Sequence, residues 1–301
     1  LDDLIARYEA LNADVKIEVV RAPKDSTRRR EWVADRLNEG DTSLDILLLD
    51  ATWPAELGAG GSLVPLEEEI ESLGIELSTY LPGTIQANEL QGHLVALPWV
   101  ADAGLLYYRR DLLEAHGYGP PSTWAGLQQI ALEIREREGL PDGYVWQGTA
   151  DENLTCNTLE QVWGHGGDVF DGDGNIVFDS PQTYSALEQM RNLVASGASP
   201  QDVANYDDVS SLAAFRNGEA AFMRHWSTAW EYVNSEDSPV AGRVGIAALP
   251  ASCLGGQSLA LSSYSLHPDQ ALRFMAFLAG DEQQGHMALA ANQPPVLAAA
   301  Y

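Results

Sequence analysis

Lysine is almost missing from this chain. Of 301 residues only Lys16 and Lys24 are lysines, the remaining bases are arginines, and 44 acids face 17 bases for a net charge of −27. Nothing in such a surface could neutralise phosphates over a broad face, which excludes a nucleic-acid partner. An acidic, lysine-poor surface keeps a protein hydrated at the cost of self-repulsion that salt screens, the composition expected of a salt-tolerant or halophilic source. Cysteine is as scarce: Cys156 and Cys253 stand far apart, with no CxxC or metal-ligand spacing. The six histidines (His93, His116, His165, His225, His267, His286) form no HExxH or other helical pair, so no zinc site is expected. No run of about 18 apolar residues offers a transmembrane helix. Gly58-x-Gly60-Gly61 lacks the strand-before, helix-after context of a dinucleotide fingerprint. The absence of GxxxxGK[ST] and GxSxG points away from a P-loop enzyme and an α/β-hydrolase.

What is present is a core-forming α/β pattern. The length suits one large or two medium domains, and 45% hydrophobic content fills real cores. Leu1, Leu4, Ile5, Tyr8 and Leu11 share one helical face. A strand is expected over 16–20, a helix from Ser26 to Gly40, and an apolar strand over 44–49 of the kind covered on both faces. Strands follow over 93–97 and 104–108. Helices are predicted over 123–138, 154–165, 181–196 and 209–217, then strands over 220–225 and 244–249, then helices over 268–278 and 282–291. Such alternation implies α/β architecture with largely parallel sheets. Two lobes are expected, one of residues 1–108 with 251–301 and one of 109–250, hinged and able to close on a ligand.

The chemistry-bearing residues gather near strand ends. Asp102 stands beside Trp99 just ahead of the apolar run Leu105–Tyr108. An acid and an indole on a loop suit a sugar, whose hydroxyls donate to the carboxylate and whose apolar face packs on the ring; the same residues also read as an ordinary core strand with its loop. Asp50 and Trp53 follow the carboxyl end of an apolar strand, where ligands gather in open α/β sheets. Trp226 ends the 220–225 strand and is the better stacking candidate, with Trp230 assigned to packing, as are Trp32, Trp124, Trp146 and Trp163. Asp171-Gly172-Asp173-Gly174-Asn175 opens like a calcium loop, but Ile176 stands where glycine is needed, and the segment reads as a hairpin turn. Asp50 and Asp102 also invite a glycosidase reading, in which two carboxylates flank the scissile bond.

Five segments carry a resemblance. Pro98-Trp99 through Asp102 to Gly104-Leu105-Leu106-Tyr107-Tyr108-Arg109-x-Asp111-Leu112-Leu113 is similar to the crossover segment of the solute-binding proteins of ABC sugar importers. Asp50-Ala51-Thr52-Trp53-Pro54-Ala55-Glu56, Trp146-Gln147-Gly148 with Leu154-Thr155-Cys156-Asn157, Met223-Arg224-His225-Trp226 and Asn292-Gln293-Pro294-Pro295 follow in the same order. The chain thus resembles the trehalose/maltose-binding branch of family 1. The resemblance implies a class II periplasmic-binding-protein fold of two α/β lobes joined by a hinge. It implies capture of a trehalose- or maltose-like disaccharide between the lobes, delivery to ABC permease subunits, no catalysis, no cofactor, no metal and a monomeric state. An extracytoplasmic location follows, periplasmic or lipid-anchored, the signal segment being absent from this chain. Relative to the family pattern the chain is expected to be truncated at both ends. The implied ligand contacts are Asp50 and Asp102 as hydroxyl acceptors, Trp226 and Trp53 as stacking faces, and the Gly256 amide with Gln257.

Departures from the pattern temper the sugar's identity. Ser227-Thr228 replaces a Pro-Tyr pair, and Gln257 stands where the family has tryptophan. The alternatives are a glycoside-cleaving enzyme using Asp50 and Asp102, or the same fold holding a polyol or a sugar phosphate. The net charge opposes an anionic ligand unless local arginines such as Arg224 face it. The two cysteines, assigned to different lobes or to the hinge, are expected to stay as thiols, since a bridge between lobes would hinder closure.

Overall fold

Residues 1–23, 26–291 and 293–300 are described by a computed structural model. The apolar stripe of the first helix, α1 (Asp2–Leu11), buries Leu4 and Tyr8. Tyr8 packs on Phe274 and Phe277 at centroid separations of 4.9 and 5.1 Å, a geometry that adds to area burial. The segment over 16–20 pairs with none of the described strands; Ile17 donates its amide to the Glu9 carboxylate instead, and Val15 and Ile17 pack against the core. Helix α2 (Ser26–Asn38) leads to β1 (Ile46–Asp50), then α3 (Pro54–Gly58), α4 (Glu67–Ser72) and α5 (Pro82–Gln86). A small ladder of β2 (Glu89–Leu90) and β3 (His93–Leu94) precedes β4 (Leu97–Arg109).

Strand β4 is longer than the sequence implies. Residues 98–102, expected as a loop, belong to it, and their burial explains why: Pro98, Trp99, Val100 and Ala101 are all core residues or core-facing, leaving only Asp102 half-buried. The chain passes from one compact unit to another along this strand, the first comprising 1–102 and 254–301 and the second 103–253. In the first unit β8 (Leu254–Leu261) lies between β1 and β4. Strand β1 therefore pairs with β8 alone among the described strands, and Leu48 is 38% exposed. It is an edge strand, where the apolar run predicts one covered on both faces. Helices α12 (Pro268–Ala279) and α13 (Asp281–Ala291) complete this unit.

The second unit holds α6 (Arg110–Ala115), α7 (Trp124–Glu138), β5 (Asp142–Val145), α8 (Glu152–Gly164), α9 (Pro181–Ala195), α10 (Asp208–Arg216), β6 (Ala220–Trp226), α11 (Ala229–Val233) and β7 (Val244–Ala248). Its helices begin where capping chemistry places them. Thr123, Asp151, Ser180 and Asp207 each accept a first-turn amide, and Asp207 with Ser210 forms a reciprocal box. The end of β4 is flanked by β6 and β7, both antiparallel to it, and β5 joins β6 in parallel. With β1 and β8 also antiparallel, the expectation of largely parallel sheets is overturned. The physical reason is that long β4 is met on each side by strands returning toward it, which alternation along the chain does not reveal. The Asp171 segment is a turn: Asp171 accepts from the Asp173 and Asn175 amides and the Asn175 side chain, and Gly174 takes φ +81°.

Candidate functional site

In the first unit, strand register sets the polar cluster. Asp50, the last residue of β1, stands opposite Gln257 of β8. Gln257 donates its side-chain amide to Asp50 Oδ1 at 3.3 Å. The other carboxylate oxygen accepts from Arg29 at 2.6 Å and from the Ser26 hydroxyl at 3.1 Å. The Asp50 side chain keeps 18% of its exposure and Arg29 25%. A carboxylate so held retains acceptor lone pairs for a further hydroxyl. Arg29 and Ser26 lie on α2 and carry no motif, so nothing in the sequence links them to Asp50.

Gly256 supports this arrangement through its backbone. Its φ is +115°, and a Cβ there would lie 2.1 Å from the Val100 carbonyl oxygen. Only glycine allows β8 to approach β4 so closely. The Gly256 carbonyl accepts from the Ala51 amide at 3.0 Å, closing the turn after β1. Nearby, Ala51, Asn88, Val100, Gly255 and Gln257 border a cavity of about 10 Å³, space for about one water. Asn88 is 1% exposed, and its Oδ1 has no protein partner.

Trp53 is placed differently from the stacking role expected of it. It is 3% exposed and packs with Leu49, Leu57 and Val95, while the Arg29 guanidinium lies 5.2 Å from its ring centroid. Its indole steadies the arginine that holds Asp50, a packing role, because no open face remains for a ligand. Trp99 is likewise core, at 5% exposure.

In the second unit Trp226 is half-buried at the end of β6. Side-chain and backbone contacts fix it. Its Nε1 donates to Asn153 Oδ1 at 2.8 Å, its backbone carbonyl accepts from the Tyr107 hydroxyl at 2.8 Å, and the Arg224 guanidinium stacks 4.1 Å from its ring. Arg224 is fully buried and forks onto Glu160, itself fully buried, at 2.9 and 2.6 Å. Arg224 is therefore committed to Glu160 and Trp226, and does not supply the local positive charge that an anionic ligand would need. Next to it, His225 Nδ1 accepts from the Trp226 amide at 2.9 Å, so Nε2 carries the proton and donates to the Asp208 carbonyl at 3.2 Å. Burial pushes the His225 imidazole below its ordinary value, against the pull of Asp208. Burial likewise raises the Asp208 carboxyl, whose Oδ2 accepts from Asn153. Trp230, expected in packing, is 38% exposed.

The sequence does not single out Asn153, Glu160 or Tyr107, and offers Arg224 only as a local charge that an anionic ligand would need. The available signal was the alternation of Arg224 with Trp226 on one face of β6. Both cysteines belong to the second unit, Cys253 as its last residue at the boundary, with Cys253 Sγ 3.5 Å from the Cys156 carbonyl oxygen. Asn292, quoted in the late turn motif, lies outside the described residues.

Comparison with known proteins adds a consistent picture. A family model described as bacterial extracellular solute-binding protein matches residues 1–285. A probable ABC transporter-binding protein of Deinococcus radiodurans is 35% identical over 298 residues, covering 95% of this chain and 70% of that protein. A mannitol-binding protein of Pseudomonas aeruginosa is 26% identical over 280 residues, covering 89% of this chain and 63% of that protein. Among solved structures, maltose-bound T. maritima MalE3 superposes with a TM-score of 0.90 at 37% identity, covering 99% of this chain and 78% of that one.

Proposed function

The chain belongs to the bacterial extracellular solute-binding protein family, and from that premise we propose that it captures a small carbohydrate, a maltose- or trehalose-like disaccharide, for delivery to the permease subunits of an ABC importer. The observation that carries the reading is the Trp226 platform. A half-buried indole is clamped on one face by Arg224 and at its edge by Asn153. A ring held that rigidly offers its remaining apolar surface to a sugar without a further loss of side-chain entropy on binding. The likeness to a maltose-bound protein at 37% identity supports a disaccharide.

The proposed roles follow from chemistry. Trp226 stacks on the C–H face of a pyranose. Asp50 and Asp102 accept from hydroxyls, and Gln257 offers an amide that both donates and accepts. Charged acceptors discriminate, because a ligand lacking the matching hydroxyl leaves them unpaired. Gly256 contributes through backbone position, and Trp53 through support of Arg29. No catalysis is proposed. Asp50 already accepts from Arg29, Ser26 and Gln257, which suits an acceptor for a sugar hydroxyl.

The test is calorimetric titration with maltose, trehalose and mannitol. Binding of a disaccharide is expected, without release of monosaccharide. Trp226→Ala should weaken it by about 1.5–3 kcal/mol, about 10- to 150-fold. Mannitol binding alone would move the ligand to the polyols. A wild-type protein that binds none of the three, or a Trp226→Ala variant of unchanged affinity, would overturn the assignment.

A further inference from the structure

The two cysteines face each other across the second unit. Cys156 lies in the second turn of α8, and Cys253 is the last residue before β8. Cys253 Sγ is 3.5 Å from the Cys156 carbonyl oxygen, so the two residues are in direct contact. The backbone of Cys253 is fixed from both sides. Its amide donates to Glu160 Oε1 at 3.1 Å, and its carbonyl accepts from the Gly104 amide at 3.2 Å. Neither anchor depends on the sulfur atoms, so the pairing is imposed by the fold. Since both residues belong to one unit, a bond between them would not join the two units.

We propose that Cys156 and Cys253 are a redox-modification site that closes to an intramolecular disulfide when the protein meets a disulfide oxidant. The attacking group is the Cys156 thiolate, the residue being half-buried where Cys253 is buried. The hydrogen bond from Cys253 holds its thiol below the ordinary value, and the Arg224 charge adds to this against the opposing effect of burial. The hydrogen bond to Cys156, followed by burial, holds Cys253 above its ordinary value. With oxidised glutathione as oxidant, the Cys156 thiolate attacks one glutathione sulfur, forms a mixed disulfide and expels the other glutathione as thiolate. The Cys253 sulfur then loses its proton, attacks Cys156 Sγ and expels the second glutathione. Two protein S–H bonds are lost, one S–S bond forms, and the two electrons leave in two glutathione thiols. The extracellular setting of the family supplies an oxidising environment.

The bond would tie α8 to the last residue of the second unit across 97 positions of sequence. Helix α8 carries Asn153 and Glu160, which hold Trp226 and Arg224, so the staple would secure the platform's scaffold. This inference rests on the fold alone and survives whatever the ligand proves to be.

The test is to reduce the protein, remove the reductant, and expose it to oxidised glutathione. The product is denatured, alkylated with iodoacetamide, and analysed by intact mass and peptide mapping. The expected result is a monomer with no alkylated cysteine, a linked pair of peptides containing Cys156 and Cys253, and full reversal by dithiothreitol. The oxidised form should melt about 5–10 °C above the reduced form. Cys156→Ser and Cys253→Ser should each leave one cysteine, which either alkylates or carries glutathione. Two free thiols after oxidant, a stable glutathione adduct on the wild-type protein, or disulfide-linked copies of the chain would each overturn the proposal.

Discussion

Glu160 carries more of the second unit than its single carboxylate suggests. It accepts both prongs of Arg224, accepts the Cys253 amide, and sits so close to β4 that a Cβ on Gly104 would come 2.0 Å from its Oε1. Both charges are fully buried. Removing one partner of such a pair leaves the other uncompensated in a low-dielectric interior, at a cost of about 3–5 kcal/mol. Glu160→Ala is expected to lose that much in urea unfolding and to disturb Trp226 fluorescence, since the arginine beneath the indole would lose its anchor. A loss below about 1 kcal/mol would mean that water or a neighbouring group satisfies Arg224 without Glu160. At this scale the sequence is only partly legible. Trp226 and Asp50 could be singled out from their places at strand ends. Their holders Asn153, Glu160, Arg29 and Ser26 could not, because each reaches its partner from another element; Arg224 shares β6 with Trp226, but its burial against Glu160 is not written in the strand. The most misleading residue is Trp53: its position after β1 suits a ligand, and only its burial assigns it to the core.

Among the elements, β8 depends most on one residue. Gly256 adopts φ +115° with its Cα against the Val100 carbonyl, and the next residue, Gln257, faces Asp50. Gly256→Ala must both adopt a disfavoured backbone conformation and displace β8 from β4. It is expected to cost about 2–4 kcal/mol and to break the Gln257–Asp50 contact, measured by thermal unfolding and by the affinity for whichever sugar binds the wild type. An unchanged melting curve would show that the strand relaxes around the methyl group. The helices were the legible elements, because caps such as Thr123, Asp151, Ser180 and Asp207 mark their starts locally. Strand pairing was not legible. The run Pro98–Asp102 reads as a loop because it mixes proline, a charge and an indole, yet it continues β4 since its neighbours in space cover it. The 16–20 segment has the composition of a strand but pairs with none of the described strands.

Over the whole molecule the net charge of −27 dominates. Its ion pairs are mostly exposed, and each contributes little, so surplus acids repel one another over distances set by salt. The screening length falls from about 10 Å at 0.1 M to about 3 Å at 1 M. The melting midpoint is therefore expected to rise by several degrees between those sodium chloride concentrations, a shift that sodium sulfate at matched ionic strength should at least equal. A midpoint that falls with salt would show that the specific pairs, such as Arg29–Asp50, outweigh the surplus repulsion.

The sequence by itself determined what is written locally or summed over the chain: the acidic composition, the longer helices with their caps, and the α/β class. It also held the ordered motifs that resemble solute-binding proteins, a likeness that the family match bears out. Tertiary structure alone decided the antiparallel pairing around β4, the edge position of β1, the burial of Trp53, the Arg224–Glu160 pair and the meeting of Cys156 with Cys253. Those features depend on contacts between residues tens to hundreds of positions apart. Their energies arise from burial and dielectric environment, which a residue acquires only when the distant parts of the chain have come together.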